Sequence, residues 1–323
     1  MQSRRWIGSS RQVFAILAIA LTFIGIQPAS GASASTSHST RPATQASTKA
    51  EYPWKGGGTA CAIRLPIHGI ITYKLFTTCP PKRVLFIGDS IGLTMGIQMS
   101  LNQSNWGTLI DNASLNGCGF ITGYSLEVLG QITAMNPRCA DAAEYWEKTA
   151  HLFRPQAIVI ELGWEDSFQH LINGQLTSLN QLSYVQMLEQ HIKSLVASLR
   201  AVSSSPIYFL SVPWSNPGTL PNGQPEPAAS ATSHDDINTV IKAIASSSKN
   251  VHFVDISRYI TPSGKYATDV DGAVCRGTDG VELYFSAPGA VRYVQTRCGK
   301  ALQRGVLSII RKALVPARAH AGF

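Results

Sequence analysis

At residues 82–92 the chain reads KRVLFIGDSIG, an apolar run between two basic residues and a Gly-Asp-Ser turn. Such a run, bounded by charge and glycine, is typical of a strand that is buried on both faces of a parallel sheet. The spaced apolar residues of 91–100 then predict a helix. Ser90 is therefore expected where a strand turns into a helix, at the carboxyl edge of the sheet, where open α/β folds bind their ligands.

Two roles for Ser90 follow from this position. Backbone N–H groups at the start of a helix stabilise negative charge, which favours a serine nucleophile. Serine is also a good helix N-cap, and the local sequence leaves both interpretations open. Residues 88–92 also fit Gly-x-Ser-x-Gly, the nucleophile elbow of α/β-hydrolases. That elbow follows several strands, whereas little foldable sequence precedes Ser90, so the elbow is the weakest interpretation.

The first 50 residues carry targeting and tether signals. Arg4, Arg5 and Arg11 precede a mainly apolar run at 13–26, and small residues follow, with a cleavage pattern at 32–34. We predict a signal peptide over residues 1–34 and therefore a secreted or extracytoplasmic protein of the cell envelope. An uncleaved anchor is the alternative, although the run is shorter than the roughly 20 residues that span a bilayer. Residues 35–50, rich in Ser, Thr and Ala, predict a disordered tether.

The rest of the chain has the length of one α/β domain with a small extension. We assign residues 51–80 to a disulfide-tied extension, 81–315 to the main domain and 316–323 to a tail. The formal net charge is +8, and it falls to +5 without the three arginines of the predicted signal. This charge mildly attracts anionic surfaces, but no Lys/Arg run accompanies it, so the sequence does not predict nucleic-acid binding.

Six cysteines follow the predicted signal, an even number that predicts three disulfides in an exported chain. Sequence alone allows about 15 pairings. We favour nearest-neighbour pairing, because each such bond closes a local loop. A metal site is the rival interpretation, but no Cys-x-x-Cys or Cys/His cluster has ligand spacing, so we expect no metal. The favoured pairs are Cys61–Cys79, Cys118–Cys139 and Cys275–Cys298.

Strand and helix patterns alternate along the main domain. This alternation predicts a parallel sheet covered by helices on both faces, with right-handed crossovers. The loop at 213–229 follows a strand and is expected to face substrate at the carboxyl edge. Strands are predicted at 82–88, 107–113, 156–162, 206–212 and 251–256, and helices at 91–100, 140–153, 179–202, 233–248 and 286–312.

Four short blocks of the main domain resemble those of the SGNH, or GDSL-type, hydrolases, in the same order along the chain. The resemblance implies a three-layer α/β/α fold with a flavodoxin-like parallel sheet. It also implies Ser90 as nucleophile, Gly117 as a backbone donor of the oxyanion hole and Asp279 as the carboxylate of the triad. The blocks are Gly88-Asp89-Ser90, Asn112-Ala113-Ser114-Leu115-Asn116-Gly117, Gly163-Trp164-Glu165-Asp166 and Asp279-Gly280-Val281-Glu282.

Two positions depart from the family pattern. Glu282 stands where the family has its base histidine, and a glutamate with an ordinary pKa of about 4.3 is a weaker base than histidine. Glu165 stands where the family has an asparagine that donates to the oxyanion. An ionised Glu165 would repel the oxyanion, whereas a protonated one could donate a hydrogen bond. His170 and His234 are the histidines that we considered as replacement bases.

The Gly117–Gly119 loop and the later cysteines resemble the SGNH domains of secreted or membrane O-acyltransferases that modify envelope polysaccharides. We therefore predict ester hydrolysis or acyl transfer on O-acylated envelope carbohydrate or a small ester, without a cofactor. Ser90, Asp279 and Glu282 would be catalytic. The alternative is a non-catalytic module that binds carbohydrate or a partner. Its stacking faces would be Trp164, Trp214 and Tyr284.

Overall fold

The structure, a computed structural model, describes residues 61–67, 70–76, 81–101, 103, 106–270, 272–277, 280–281, 283 and 297–314. These residues belong to one unit that spans 49–323. The predicted signal peptide, tether and tail lie outside the described residues and remain predictions. Of the predicted extension at 51–80, the structure describes a hairpin of two antiparallel strands.

Strands and helices alternate through most of the described chain. The strands are β1 (Cys61–Ile67), β2 (Ile70–Phe76), β3 (Lys82–Gly88), β4 (Thr108–Asn112), β5 (Ser125–Val128), β6 (Gln131–Thr133), β7 (Ala157–Glu161), β8 (Gln169–Ile172), β9 (Gln175–Thr177), β10 (Ile207–Leu210), β11 (Val251–Val254), β12 (Asp269–Val270) and β13 (Ala273–Val274). The helices are α1 (Ser90–Leu101), α2 (Ala142–Phe153), α3 (Leu182–Val202), α4 (Ala231–Ser247), α5 (Ser257–Ile260) and α6 (Arg297–Leu314). Short 3₁₀ turns cover Pro137–Cys139, Glu165–Ser167 and Pro227–Ala229.

A five-stranded parallel sheet forms the centre of the domain, in the order β11-β10-β7-β3-β4. In chain order the five strands are β3, β4, β7, β10 and β11, so β3 is the first and β7 the third. This is the flavodoxin-like order, in which the direction of winding reverses between the first and third strands. The reversal lies here between β3 and β7. The predicted flavodoxin-like sheet is confirmed, and ligands bind in such folds outside the carboxyl ends of the strands at the reversal.

Helices cover both faces of this sheet because its strands are apolar on both faces. Residues 84–87 of β3 are all fully buried. Leu85 and Ile87 pack on one face with residues of α2, α3 and α4, and Val84 and Phe86 pack on the other with residues of α1 and α6. The two apolar clusters confirm the predicted three-layer arrangement. Helix partners include Trp146, Leu188 and Ile241 on the first face, and Met95, Leu302 and Val306 on the second.

A second sheet, which the sequence patterns did not indicate, stands at the carboxyl edge. It is antiparallel, in the order β6-β5-β8-β9, and it joins a hairpin that follows β4 to a hairpin that follows β7. The turn of the first hairpin is tied to the loop after β10, because the Leu129 N–H donates to Glu226 Oε2 at 2.7 Å. The sheet therefore forms a wall beside the loops that carry the predicted site.

The predicted strands and helices of the main domain are confirmed to within a few residues at their ends. The last predicted helix, 286–312, is described from Arg297 onward, and its beginning lies outside the described residues. Within the described part of the chain, no helix combines the length and the hydrophobicity that crossing a bilayer requires.

Candidate active site

Ser90 is the first residue of α1, directly beyond the end of β3 at the reversal point of the sheet. The residue that caps the helix is Asp89, whose Oδ1 accepts from the N–H groups of Ile91 (2.9 Å) and Gly92 (3.1 Å). The interpretation of Ser90 as the helix cap is therefore wrong. The Ser90 side chain makes no hydrogen bond to any described residue, and the residue is 8% exposed. Its hydroxyl is thus left for another role.

The turn between β3 and α1 requires glycine at position 88. A Cβ on Gly88 would lie 2.3 Å from the carbonyl oxygen of Glu161 and 2.7 Å from the Cα of Gly92. Real Cβ atoms do not approach other atoms so closely, so the absence of a side chain lets the end of β3 lie against β7. The close approach brings Ser90 and the loop after β7 to the same point of the sheet edge.

Asp89 is surrounded by two further buried acids, Glu161 and Glu165. The carboxyl groups of both glutamates lie close to that of Asp89 and influence its pKa, which burial raises, and Asp89 Oδ2 accepts from the Trp164 N–H at 3.3 Å. Burial and then the charge of Asp89 raise the pKa of Glu165 well above its usual value. Glu165 thus keeps its proton to a higher pH than an ordinary glutamate, and its other oxygen, Oε2, is buried with no hydrogen-bond partner among the described residues.

The loop that carries Gly117 is anchored at three points. At its start, the Leu115 N–H donates to the Gly88 carbonyl at 2.8 Å, so the segment that leads to Gly117 runs beside the end of β3. At its end, the Asp166 carboxyl group accepts from the N–H groups of Phe120 (2.7 Å) and Ile121 (2.9 Å). Burial raises the pKa of Asp166 to about 7, although these hydrogen bonds lower it. Gly117 itself has φ +74°, which glycine adopts without strain.

A disulfide between Cys118 and Cys139 supplies the third anchor, and it confirms the predicted pairing of these two cysteines. Cys275 is buried and disulfide-bonded. The pairs Cys61–Cys79 and Cys275–Cys298 each involve side chains outside the described residues, so they stay predictions.

Asp279 and Glu282, the predicted carboxylate and base, also lie outside the described residues. Their neighbours place this segment between α1 and the loop after β10. The Gly280 carbonyl accepts from the Asn216 N–H at 3.0 Å, and the Leu283 carbonyl accepts from Gln98 Nε2 at 3.4 Å. The segment therefore reaches the helix that begins at Ser90, while the catalytic roles of Asp279 and Glu282 stay predictions.

Neither histidine that we considered as a replacement base is hydrogen-bonded to Ser90. His170 is fully buried in β8, with Nδ1 2.8 Å from the Tyr184 hydroxyl. His234 is 2% exposed in α4, with Nε2 3.2 Å from Ser215 Oγ and Nδ1 3.0 Å from the Ser230 carbonyl. Burial lowers the pKa of each histidine to about 4. Both act in the described structure as neutral, buried hydrogen-bonding groups.

The side chain of Trp164 is engaged inside the protein, which argues against its predicted use as a sugar-stacking face. Its Nε1 donates to Ser215 Oγ, and its ring meets Phe168 edge-on at 4.8 Å between centroids. Trp214 is half-buried, and Tyr284 lies outside the described residues. The link from Trp164 to Ser215 and His234 has no sequence signal, because the three residues lie in separate loops and elements.

Among the described side chains, no three His, Cys, Asp or Glu residues are grouped so that they could hold a metal ion. The oxygens of Asp89 instead accept hydrogen bonds from the backbone N–H groups of Ile91, Gly92 and Trp164. Asp89, Glu161 and Glu165 are thus buried acids at the edge of the sheet where α1 begins with Ser90.

A profile of GDSL-like lipases and acylhydrolases matches residues 84–283, which is more than half of the chain. The protein therefore belongs to the GDSL-like lipase/acylhydrolase family, and the predicted resemblance to SGNH hydrolases is confirmed. The match begins in β3, before Ser90, and ends directly after the Asp279–Glu282 block, so it contains all four blocks.

Solved structures with a similar fold include three that share low sequence identity with this chain. A carbohydrate acetylesterase family member from Sinorhizobium meliloti is 16% identical, with a TM-score of 0.44 over 72% of this chain and 99% of that chain. A family two carbohydrate esterase from Clostridium thermocellum is 15% identical (TM-score 0.42; 75% and 68%). The periplasmic domain of a lipopolysaccharide acetyltransferase from Salmonella Paratyphi A is 11% identical, with a TM-score of 0.41 over 72% of this chain and 85% of that chain. No curated protein sequence matches the chain.

Proposed function

We propose that the protein is an exported esterase or O-acyltransferase that acts on O-acylated cell-envelope carbohydrate through Ser90. The observation that carries the proposal is the position of Ser90 at the start of α1, where Asp89 caps the helix and leaves the serine hydroxyl uncommitted. Membership of the acylhydrolase family supports ester chemistry at this serine. The carbohydrate substrate comes from the sequence resemblance to SGNH domains of envelope O-acyltransferases.

In this proposal Ser90 Oγ attacks the carbonyl carbon of the ester and passes its proton to a base. The N–H groups of Ser90 and Gly117 stabilise the oxyanion, and the intermediate collapses to an acyl-enzyme as the base gives the proton to the leaving alcohol. Water or a sugar hydroxyl then attacks the acyl group and loses its proton to the base. The base passes this proton to Ser90 Oγ as the bond between Ser90 and the acyl group breaks. Water as the acceptor gives hydrolysis, and a sugar hydroxyl gives acyl transfer.

Glu282, supported by Asp279, is the proposed base, and it accepts a proton only when it is ionised. Glu165 is the proposed third oxyanion group, and it helps only when it is protonated, since its ionised form repels the oxyanion. The raised pKa of Glu165 supports this role because it extends the protonated form to higher pH. The two requirements together predict a bell-shaped dependence of activity on pH, which falls at low pH as Glu282 takes up a proton and at high pH as Glu165 loses one.

The disulfide between Cys118 and Cys139 supports export, because such bonds persist in oxidising compartments. It also serves the proposed chemistry, since it fastens the loop of Gly117. We propose an acylated carbohydrate or a small ester as the ligand of this edge of the sheet. Contact with a membrane would come only through an uncleaved N-terminal anchor.

Labelling of the purified protein with a fluorophosphonate, from about pH 4 to pH 8, tests the proposal. We expect labelling that disappears in Ser90→Ala and falls strongly in Glu282→Ala. Ser114→Ala is the matched control, since the Ser114 hydroxyl lies beside the same turn, close to Gly88 and Gly92. A folded protein that labels at no pH would contradict the proposal.

A second function, a non-catalytic carbohydrate- or partner-binding module, is favoured by two observations. A buried glutamate, Glu165, occupies the place of the oxyanion asparagine, and neither His170 nor His234 is bonded to Ser90. Binding of a glycan with equal affinity by the wild-type protein and Ser90→Ala, without turnover, would support this function. Turnover that requires Ser90 would exclude it.

A further inference from the structure

A polar cleft of about 310 Å³ lies beside the proposed active site, on the β10 side of the loop that carries Glu165. One wall is formed by the 3₁₀ turn and β8 with the segment after β9, and the other by residues 226–236 at the start of α4. Its volume is at the lower end of the range for small-molecule sites. The cleft has no part in the mechanism proposed for Ser90.

The cleft is close to Ser90 because both adjoin the same loop. The Trp164 N–H donates to Asp89, the residue before Ser90, and Ser167 of the cleft lies one 3₁₀ turn beyond Trp164, roughly 6 Å along the turn. One 3₁₀ turn therefore joins the residue that bonds Asp89 to the wall of the cleft.

The walls of the cleft present free polar groups over an apolar floor. The side chains of Ser178, Asn180, Thr232 and Asp236 form no hydrogen bond with any described residue, so they are available to a ligand. Leu179 and Pro227 supply apolar surface between them. Hydroxyl, amide and carboxylate groups around small apolar side chains match a sugar ring, which has hydroxyls at its edge and C–H groups on its faces.

The backbone of the cleft is held in place before any ligand arrives. The Glu226 carboxylate accepts from the Leu129 N–H at 2.7 Å, and Gln169 Nε2 donates to Glu127 at 2.9 Å. Ser230 caps α4 through the Ser233 N–H at 3.1 Å. Such preorganisation lowers the entropic cost of binding.

The charge of the cleft limits the class of sugar. Among the described residues, Glu226 and Asp236 line it, and no lysine or arginine does. A sugar with a carboxylate or phosphate group would be repelled, although the net charge of the whole chain is positive. The local charge therefore selects against anionic glycans, even where the net charge attracts them.

We infer that this cleft binds a sugar ring that carries no anionic substituent. In the bound glycan, this ring is the neighbour of the ring whose ester reaches Ser90. The location beside Ser90 rests on the function proposed above, whereas the binding of the ring rests on the cleft alone. The cleft would thus determine which polysaccharide the protein accepts and in which direction the chain lies across the site.

Backbone amide NMR of Ser90→Ala, titrated with hexasaccharides at millimolar concentration, tests the inference. The probes are cellohexaose, xylohexaose, mannohexaose and chitohexaose as uncharged glycans, with hexagalacturonate as the anionic comparison. We expect at least one uncharged glycan to shift the amides of Asn180 and Thr232, and hexagalacturonate to leave them unchanged. Unshifted amides with all four uncharged glycans, or shifts with hexagalacturonate alone, would overturn the inference.

Two sets of variants sharpen the test. Asn180→Ala combined with Thr232→Ala is expected to weaken binding by about tenfold, since it removes hydrogen bonds to the ring. Gln186→Ala combined with Thr239→Ala, exposed positions on α3 and α4 outside the cleft, is the matched control and should bind as Ser90→Ala does. Asp236→Asn should admit hexagalacturonate. Equal affinity in the cleft and control variants would contradict the inference.

The outcomes for the cleft and for Ser90 can be told apart. Fluorophosphonate labelling that fails while the amides of the cleft still shift would refute the serine chemistry and leave the sugar site. Labelling that succeeds while these amides never shift would refute the sugar site and leave the chemistry.

Discussion

The indole Nε1 of Trp164 donates a hydrogen bond to the hydroxyl of Ser215. An indole nitrogen is only a donor, so Ser215 Oγ accepts this bond and is left to donate its own proton to Nε2 of His234, 3.2 Å away. Nδ1 of His234 then carries the ring proton and donates to the Ser230 carbonyl at 3.0 Å. This chain of bonds fastens the loop of Glu165 to the loop after β10 and to the start of α4.

We expect Ser215→Ala to lower the free energy of unfolding by about 1–3 kcal/mol, because it leaves the buried Nε2 of His234 and the half-buried Nε1 of Trp164 without partners. It should also shift the indole N–H resonance of Trp164 in an NMR spectrum. Ser205→Ala is the control, since Ser205 Oγ bonds the Pro155 carbonyl away from Trp164. An unchanged Trp164 resonance in Ser215→Ala would show that the link does not hold the indole.

His234→Gln should flatten the dependence of stability on pH between about 4 and 6.5. Burial lowers the pKa of His234 to about 4 in the folded protein, whereas the unfolded chain takes up the proton near the ordinary value of 6.5. Acidification through this range therefore favours unfolding, by about 3 kcal/mol for this residue at its lower end. Urea unfolding at several pH values measures the effect, with the exposed His151→Gln as control. Parallel curves for the wild type and His234→Gln would contradict the prediction.

Glu165→Gln should stabilise the protein increasingly as the pH rises from about 5 to about 8. Because the pKa of Glu165 is raised on folding, the folded state holds the carboxyl proton of Glu165 more tightly than the unfolded chain does. The stability of the wild-type protein therefore falls as the pH rises and this proton is lost. Glutamine cannot lose a proton and still donates a hydrogen bond to Asp89. The expected gain is about 1.4 kcal/mol for each unit of raised pKa.

Thermal unfolding of Glu165→Gln at about pH 5 and about pH 8, with the exposed Glu144→Gln as control, checks this expectation. If Ser90 is the nucleophile, its labelling should also persist to higher pH in Glu165→Gln than in the wild type. A variant that loses stability at the higher pH would mean that the Glu165 carboxylate is favoured in the folded state.

Replacement of both Cys118 and Cys139 by alanine should lower the free energy of unfolding by about 3 kcal/mol. The bond closes a loop between residues 21 positions apart, and its loss restores conformational freedom to the unfolded chain. We also expect slower labelling of Ser90, because the loop of Gly117 loses one of its anchors. Loss of stability with unchanged labelling would show that the disulfide does not position that loop.

The central sheet could be predicted because its evidence is local. A run such as Val84–Ile87 needs burial on both faces wherever it lies, and the change of pattern at Gly88 marks the end of the strand. The position of Ser90 followed from the same pattern. The sequence could not predict that Ser90 does not cap the helix, because Asp89 and Ser90 are both good caps. Only the structure shows that the Asp89 carboxylate bonds the helix N–H groups.

The antiparallel sheet at the carboxyl edge could not be predicted, because it depends on pairing between segments that lie far apart in the sequence. Strands β6 and β9 have three residues each and are mostly exposed, so they lack a local period. They form because β5 and β8 pair, although β8 begins more than forty residues after the start of β5. The burial of His170 depends on that same pairing, so the sequence could not show that its imidazole bonds Tyr184 inside the protein.

The pairing of β5 with β8 has a consequence for how the specificity of this protein can be altered. Each hairpin belongs to a different loop of the scaffold, yet each covers the open edge of the other. Grafting one hairpin from a relative would leave a bare edge that invites aggregation. A change of one hairpin therefore requires a matching change in the other, and the two are best exchanged together as a pair.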